Sequence, residues 1–136
     1  MANLIKWSDK YSVGVVKFDN QHRKLIKQIN DLHMAMSLGN GKSSLSTIIN
    51  NLVIYTVEHF SDEEREMQNT NYPQYMSHKR EHDKLVGKVQ ELQDRLTTGK
   101  VLPSIEVLSF LKEWLTNHIV KVDKQYSEHL AANGVR

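Results

Sequence analysis

Residues 59–82, HFSDEEREMQNTNYPQYMSHKREH, contain the end of one predicted helix, a turn and the start of the next helix. Proline cannot continue a helical hydrogen-bond ladder but suits a first helical turn, so we place the break between the two helices at 69–73. A connection of so few residues makes two helices antiparallel neighbours. The stretch therefore predicts an all-α fold built from helical hairpins.

Apolar residues recur at helical spacing in four segments, at about 19–38, 44–69, 73–97 and 103–130. Asp19 is the candidate N-cap of the first helix, and Pro103 starts the fourth. Strand-like alternation never extends beyond a few residues. Residues 1–18 form an arm, including Trp7, that is apolar enough to pack on the helices. We predict one domain over 1–136, an up-down-up-down antiparallel four-helix bundle with an ordered N-terminal arm.

The composition is that of a globular domain, with 39% hydrophobic and 25% charged residues. A net charge of +2, with both signs interspersed, indicates no nucleic-acid-binding stripe. No apolar run approaches the ~20 residues of a membrane span, and no secretory signal is visible, so the cytoplasm is the expected compartment. The absence of cysteine excludes disulfides, thiolate metal sites and iron–sulfur clusters. No long apolar face is left over, which favours a monomer.

Seven histidines are many for a chain of this size, and five of them fall on inward-facing stripes. His59 and Glu63 are four residues apart and share one helix face, as do His78 and His82. The predicted topology brings all the polar groups on these stripes within about 15 Å of one end of the bundle, at about 1.5 Å per residue. The candidate metal ligands are His22, His59, Glu63, His78, His82, His118 and Asp123.

Five imidazoles and two carboxylates exceed the ligand number of one octahedral ion, but they suit two ions that share both carboxylates. Three histidines and three bridging groups complete the six-fold coordination of one ion. The remaining two histidines leave the other ion with one open position, where a small diatomic molecule could bind. Nitrogen and oxygen ligands without thiolate favour iron over structural zinc, although manganese, cobalt or zinc would also be accepted.

Two simpler interpretations compete with the metal pair. His59 and Glu63 alone could form a hydrogen bond along a helix face. Residues 78–82, HKREH, also match the H-x-x-E-H motif of inverted zinc proteases, with Glu81 as the base. The protease interpretation leaves five of the seven converging groups unexplained, so we favour the metal pair.

The fourth helix contains a geometric conflict. His118 and Asp123 are five residues apart, which is about 500° on a regular α-helix and therefore about 140° away from a common face. Both side chains can point inward only if the helix is distorted. We predict a π-type irregularity between Ile119 and Asp123.

The ligand pattern, with 59-HFSDE-63, 78-HKREH-82 and 118-HIVKVD-123 in this order after His22, resembles the hemerythrin family and in particular its single-domain bacterial members. The resemblance covers nearly the whole chain. It implies two non-haem iron ions bridged by Glu63, Asp123 and an oxo or hydroxo group, with reversible O2 binding at the open iron. The saturated iron would be held by His78, His82 and His118, and the open iron by His22 and His59. The apolar positions around O2 match Phe60, Trp114, Leu115 and Ile119.

The resemblance implies an O2 carrier, store or supplier and not an enzyme, with delivery to an O2-consuming or signalling partner as one role. The alternatives are O2 or redox sensing, and nitric oxide or peroxide chemistry at the same di-iron site. The sequence contains no second cofactor motif, such as a glycine-rich phosphate loop, and this favours binding over turnover.

Several polar residues lie outside the ligand set. His33 is about 16 Å along the helix from His22, too far for a shared ion, and we expect it in the core or at a helix end. We expect His129 in solvent. Tyr126, three residues after Asp123, could donate a hydrogen bond behind the ligands. Charged runs at 63–66 and 79–81 are expected to be solvated, apart from Glu63 itself.

Overall fold

In a computed structural model of the chain, residues 4–39, 42–98 and 105–136 are described. The bundle consists of helices α1 (Val16–Ser37), α2 (Lys42–Asn69), α3 (Tyr75–Thr97) and α4 (Ile105–Asn117), and a short helix α5 (Ser127–Ala132) ends the chain. Helix α1 packs against α2 and α4, and α2 packs against α3. No strand occurs among the described residues. The predicted all-α four-helix bundle is confirmed.

The first helix begins three residues earlier than the sequence predicts, at Val16, so Asp19 is not its N-cap. Asp19 lies instead in the first turn of α1. Its carboxylate accepts hydrogen bonds from the backbone N–H of Val13 (2.8 Å) and the hydroxyl of Ser12 (2.6 Å). The acidic residue still stabilises the helix start, but it does so by holding the preceding arm.

The turn between α2 and α3 depends on Asn71, whose φ of 55° is the left-handed conformation that asparagine tolerates. The N–H of Tyr72 closes the end of α2 by donating to the carbonyl of Met67 at 2.9 Å. Helix α3 then begins at Tyr75, two residues after the predicted start at Pro73. The predicted start of the fourth helix at Pro103, and residues 40–41 of the first predicted turn, lie outside the described residues.

The described part of the N-terminal arm is ordered against α1. Ile5 is buried, and its backbone N–H and carbonyl both bond to the side-chain amide of Asn30 (2.9 and 2.8 Å). The ring of Trp7 lies beneath the guanidinium of Arg23, 4.3 Å from the ring centre. A 3-10 turn, Asp9–Tyr11, then leads into the buried residues that precede α1.

The predicted irregularity in the last long helix is confirmed. A π-helix, His118–Val122, follows α4 directly, and a 3-10 turn, Asp123–Tyr126, connects it to α5. The wider π turn adds a residue to the helix repeat. His118 and Asp123 therefore both face the interior and are both buried.

Two apolar clusters fill the bundle. The larger contains Phe60, Trp114 and Ile119, and the smaller contains Phe18 and Tyr126. The inward-facing histidines lie between the two clusters. His82 contacts the ring of Phe60 in the larger cluster, and His59 and His78 contact the rings of Phe18 and Tyr126 in the smaller one. Within the described ranges, no helix has the length and apolar character needed to cross a membrane.

Candidate metal centre

Seven polar side chains converge between the four helical walls of the bundle. α1 contributes His22, α2 contributes two groups four residues apart, α3 contributes a second such pair, and the π segment with its following residue contributes the last two. Each of them is 5% exposed or less. All seven residues named from the sequence are brought together, namely His22, His59, Glu63, His78, His82, His118 and Asp123.

The donor atoms form two overlapping groups, each with all of its atoms within 4.8 Å of one another. The first ligand group consists of Glu63, His78, His82, His118 and Asp123. The second ligand group consists of His22, His59, Glu63 and Asp123. Both carboxylates belong to both groups, so the arrangement offers two adjacent positions that share their anions.

Each carboxylate lies between the imidazoles of both groups. Asp123 directs Oδ1 to His78 and His118, at 3.1 and 3.0 Å from their Nε2 atoms, and Oδ2 to His22 Nε2 at 3.0 Å. Glu63 Oε1 is 3.3 Å from Nε2 of one histidine in each group, and these are His59 and His82.

The imidazole and carboxylate atoms that face the centre lie 3.0–3.3 Å from one another, but several of them make no hydrogen bond of good geometry. This is true of Nε2 in all five histidines, of Oε1 in Glu63 and of both carboxylate oxygens of Asp123. Buried polar atoms are almost always satisfied, because leaving one unsatisfied costs about 1–3 kcal/mol. Eight such atoms around two adjacent positions fit cation binding, since each offers a lone pair to a cation once any proton on it is released.

The carboxylates and imidazoles shift one another's pKa values. Burial lowers the pKa of His22, but Asp123 and Glu63 outweigh it and raise that pKa to about 10. For His82, burial likewise lowers the pKa, but its carboxylate neighbours outweigh burial and raise the pKa to about 9. For His59, burial is the stronger effect and lowers the pKa to about 4. Burial raises the pKa of both shared carboxyls, yet the surrounding imidazoles hold these pKa values well below their ordinary range. The site thus favours the ionised form of both carboxylates and a positive charge beside them.

Three side chains lie behind the candidate ligands and form hydrogen bonds with them. Nδ1 of His59 is 2.5 Å from Oε1 of Gln21, and Nδ1 of His82 is 2.8 Å from Oε2 of Glu64. The hydroxyl of Tyr126 donates to Glu63. Since a carboxylate or an amide oxygen can only accept, both imidazoles carry a proton on Nδ1, which leaves Nε2, facing the centre, as the nitrogen available to a metal.

The sequence anticipates only one of these three supports. The hydrogen bond from Tyr126 is confirmed, whereas the prediction that Glu64 lies on a solvated face is wrong. Gln21 has no predicted role beyond the start of the first helix. The available signal is its position beside the candidate ligand His22 on the same turn of α1, whereas its contacts with α2 are seen only in the structure.

The predicted O2-pocket residues Phe60, Trp114, Leu115 and Ile119 are all buried in the larger apolar cluster. The ring of Phe60 stacks on that of His82, with 3.7 Å between centroids and an interplanar angle of 1°. An open cleft of about 320 Å³ reaches Trp114 and His118 from the surface, between α3 and the end of α4. A second cleft of about 260 Å³ reaches Phe60 and His82 between α2 and α3.

The two remaining histidines stand apart from the centre. His33 is half-buried and belongs to neither ligand group. His129 is also half-buried, and the expectation that it is solvated is wrong. Its Nε2 lies 2.8 Å from the carbonyl of Thr70, and its ring packs on Tyr72, because α5 returns the chain to the α2–α3 turn.

Comparison with known proteins gives a consistent result. Residues 13–130 match the model of the hemerythrin HHE cation binding domain. Bacteriohemerythrins of Methylococcus capsulatus and Stenotrophomonas maltophilia are 37% and 33% identical, over 95% and 96% of this chain and 98% and 84% of theirs. A crystal structure of wild-type hemerythrin is 36% identical and covers 94% of this chain and 98% of its own, with a TM-score of 0.89. This chain therefore belongs to the hemerythrin family of di-iron O2-binding proteins.

Proposed function

We propose that the protein binds O2 reversibly at a pair of non-haem iron ions, and that it carries, stores or supplies O2 without catalysing a reaction. One observation carries the proposal: two groups of buried, unpartnered donor atoms share both of their carboxylates. Shared carboxylates are what a pair of bridged ions needs, and a single ion would leave part of the seven-residue set unused.

The two positions differ in how many ligands the chain offers. The first ligand group would hold one iron through three histidines, whereas the second group would hold the other through two, with Glu63 and Asp123 common to both. The second position therefore lacks one protein ligand and is the place for O2. A pair of ferrous ions supplies the electrons that O2 needs in order to bind.

The charge of the ligand set favours binding over O–O cleavage. Five imidazoles, neutral when they hold a metal, and only two carboxylates give the ions few negative charges, so highly oxidised iron is poorly stabilised. The apolar side chains of Phe60, Trp114, Leu115 and Ile119 would exclude the water and protons that carry reduced oxygen species away.

The test is a visible absorption spectrum of the reduced protein, recorded without oxygen, then in air, then after degassing, beside a metal assay. We expect two irons per chain and a charge-transfer band that appears in air and fades on degassing. His59→Ala should lose the band, whereas the matched variant His33→Ala, outside both ligand groups, should keep it. A band that forms irreversibly, or sustained O2 consumption with an electron donor, would contradict the carrier role. A protein that takes up no iron pair would overturn the proposal entirely.

A further inference from the structure

The residues on either side of Glu63 reach opposite neighbours of α2. Asp62 and Glu64 are each about 100° around the helix from Glu63, in opposite directions. Glu64 contacts His82 of α3 directly, whereas Asp62 accepts a hydrogen bond from Gln21 of α1, whose other end contacts His59 (2.8 and 2.5 Å). Each ligand group therefore has one histidine supported from behind by a neighbouring helix, His82 by the carboxylate of Glu64 on α2 and His59 by the amide of Gln21 on α1.

The support of His82 carries a full negative charge. Only 18% of the Glu64 side chain is exposed, and its carboxylate lies 2.8 Å from Nδ1 of the imidazole. A hydrogen bond to an ionised acceptor is about twice as strong as one to a neutral acceptor. Such a carboxylate draws the Nδ1 proton toward itself, so electron density rises at Nε2 and the imidazole becomes a stronger donor to a cation.

The support of His59 is neutral. The Gln21 amide donates through Nε2 to Asp62, so the oxygen Oε1 is the atom that faces the imidazole. The charged residue Asp62 does not contact His59, because Gln21 lies between them. The carboxylate of Asp62 also forms ion pairs with two surface cations, Lys17 at 3.5 Å and Arg65 at 3.8 Å. Little of this negative charge is felt at Nε2 of His59.

We propose that Glu64 and Gln21 are positioning residues that make the two metal positions electronically unequal, with Glu64 favouring the more highly charged ion at the first ligand group. Gln21 orients His59 without adding charge, so the position with fewer protein ligands keeps a weaker preference for ferric over ferrous iron. This inference rests on the metal occupancy proposed above. It concerns the relative affinity for the two oxidation states of iron, not the identity of the ligands.

The test compares one variant that removes a charge with another that moves a charge, and neither changes the size of a side chain. Glu64→Gln keeps an oxygen acceptor for His82 and removes the charge. The double variant Gln21→Glu with Asp62→Asn moves a carboxylate from the outer to the inner residue behind His59 and leaves the total charge unchanged. The amide introduced at position 62 would still donate to the carboxylate introduced at position 21, so the chain of hydrogen bonds would persist. Glu58→Gln, on the exposed face of α2, is the matched control for loss of one carboxylate.

Two measurements report the effect without reference to O2. In anaerobic competition titrations with cobalt(II), we expect Glu64→Gln to bind the ion at least about tenfold more weakly than Glu58→Gln. In dithionite titrations of the iron-loaded protein, we expect the ferric-to-ferrous affinity ratio to fall about tenfold in Glu64→Gln, a rise of about 59 mV in the one-electron potential. The double variant should shift the potential the opposite way.

The outcomes separate this inference from the proposed function. If the unmodified protein loads two irons but Glu64→Gln and Glu58→Gln have the same potential, the inference is wrong and the proposed function stands. Potentials that shift in the same direction in Glu64→Gln and in the double variant would indicate a loss of packing, and would also overturn the inference. If the unmodified protein loads no iron pair, the proposed function is wrong, and the inference that rests on it is wrong as well.

Discussion

The backbone N–H of Asp123 bonds to the carbonyl of His118, five residues earlier in the chain. This i to i+5 bond defines the π segment and brings two ligand candidates onto one inward face. Val120 lies within the π segment and is 39% exposed, so its side chain is not part of the core. The function of the distortion is thus to absorb one residue that a regular helix could not accommodate between the two ligands.

We expect deletion of Val120 to convert the π segment into regular α-helix without loss of metal. The two ligands would then be four residues apart and still share a face, and the residues after them would keep their register. Iron content and the thermal unfolding temperature provide the measurement. Deletion of Lys124, which would turn Tyr126 away from Glu63 while leaving the π segment in place, is the control and should lower both. A folded Val120 deletion without iron would show that the wide turn itself is required.

Much of the centre could be predicted because its candidate ligands lie on the inward-facing stripes of helices. A residue such as His82 must face inward once the apolar positions around it are assigned, and the five-residue spacing of His118 and Asp123 requires a distorted helix. The supports behind the ligands are different. Glu64 and Gln21 meet histidines on other helices, and such contacts depend on crossing angles and rotamers that the spacing within one helix does not contain.

The same distinction between spacing within one helix and contacts between elements explains two other differences between the predictions and the structure. Asp19 has the residue type of an N-cap, but the arm before it can continue the helix for three more residues, so its carboxylate bonds to the arm. His129 lies on a segment without long-range periodicity. Its contact with Thr70 depends on how the 3-10 turn after Asp123 redirects α5, which is a tertiary feature.

Tyr126→Phe should destabilise the metal-free protein by about 1–3 kcal/mol, the cost of leaving a buried acceptor without its donor. The tyrosine is completely buried and its hydroxyl donates to Glu63, one of the two shared carboxylates. Urea unfolding measures the free energy. Tyr72→Phe, which removes a hydroxyl from the same apolar cluster, is the matched control and should cost less. Equal losses in the two variants would contradict a specific contribution from the bond to Glu63.

The stability of the metal-free protein should fall as pH rises above neutrality. In the folded chain the shared carboxylates raise the pKa of His22 to about 10 and that of His82 to about 9, against an ordinary value of 6.5. Groups whose pKa is raised by folding stabilise the fold fully below the unfolded value, and this contribution disappears as pH passes the folded value. The window of loss therefore runs from about pH 6.5 to about pH 10.

Thermal unfolding of the metal-free protein at about pH 6 and about pH 9.5, either side of most of this window, measures the dependence. We expect a lower unfolding temperature at the higher pH, and a much smaller change in the iron-loaded protein, because imidazoles that hold a metal are already neutral. Iron binding near neutral pH should accordingly release protons, which an indicator dye detects. His22→Gln should flatten the profile of the metal-free protein. An unfolding temperature that increases with pH would contradict the assigned direction of the shifts.

Replacing Leu115 with a polar residue should speed the irreversible oxidation of the oxygenated protein. Leu115 is 2% exposed and is one of the four apolar residues assigned to the O2 pocket, so Leu115→Thr would admit water beside the metal pair. The rate at which the air-formed absorption band is lost measures the effect, and we expect it to rise several-fold. Leu108→Thr is the matched control: it is 3% exposed and lies in the same helix, about 10 Å along the axis. It should lower stability by a similar amount but leave the oxidation rate unchanged. An equal increase in both variants would mean that general loosening of the core, and not water at the O2 position, limits the lifetime of the oxygenated protein.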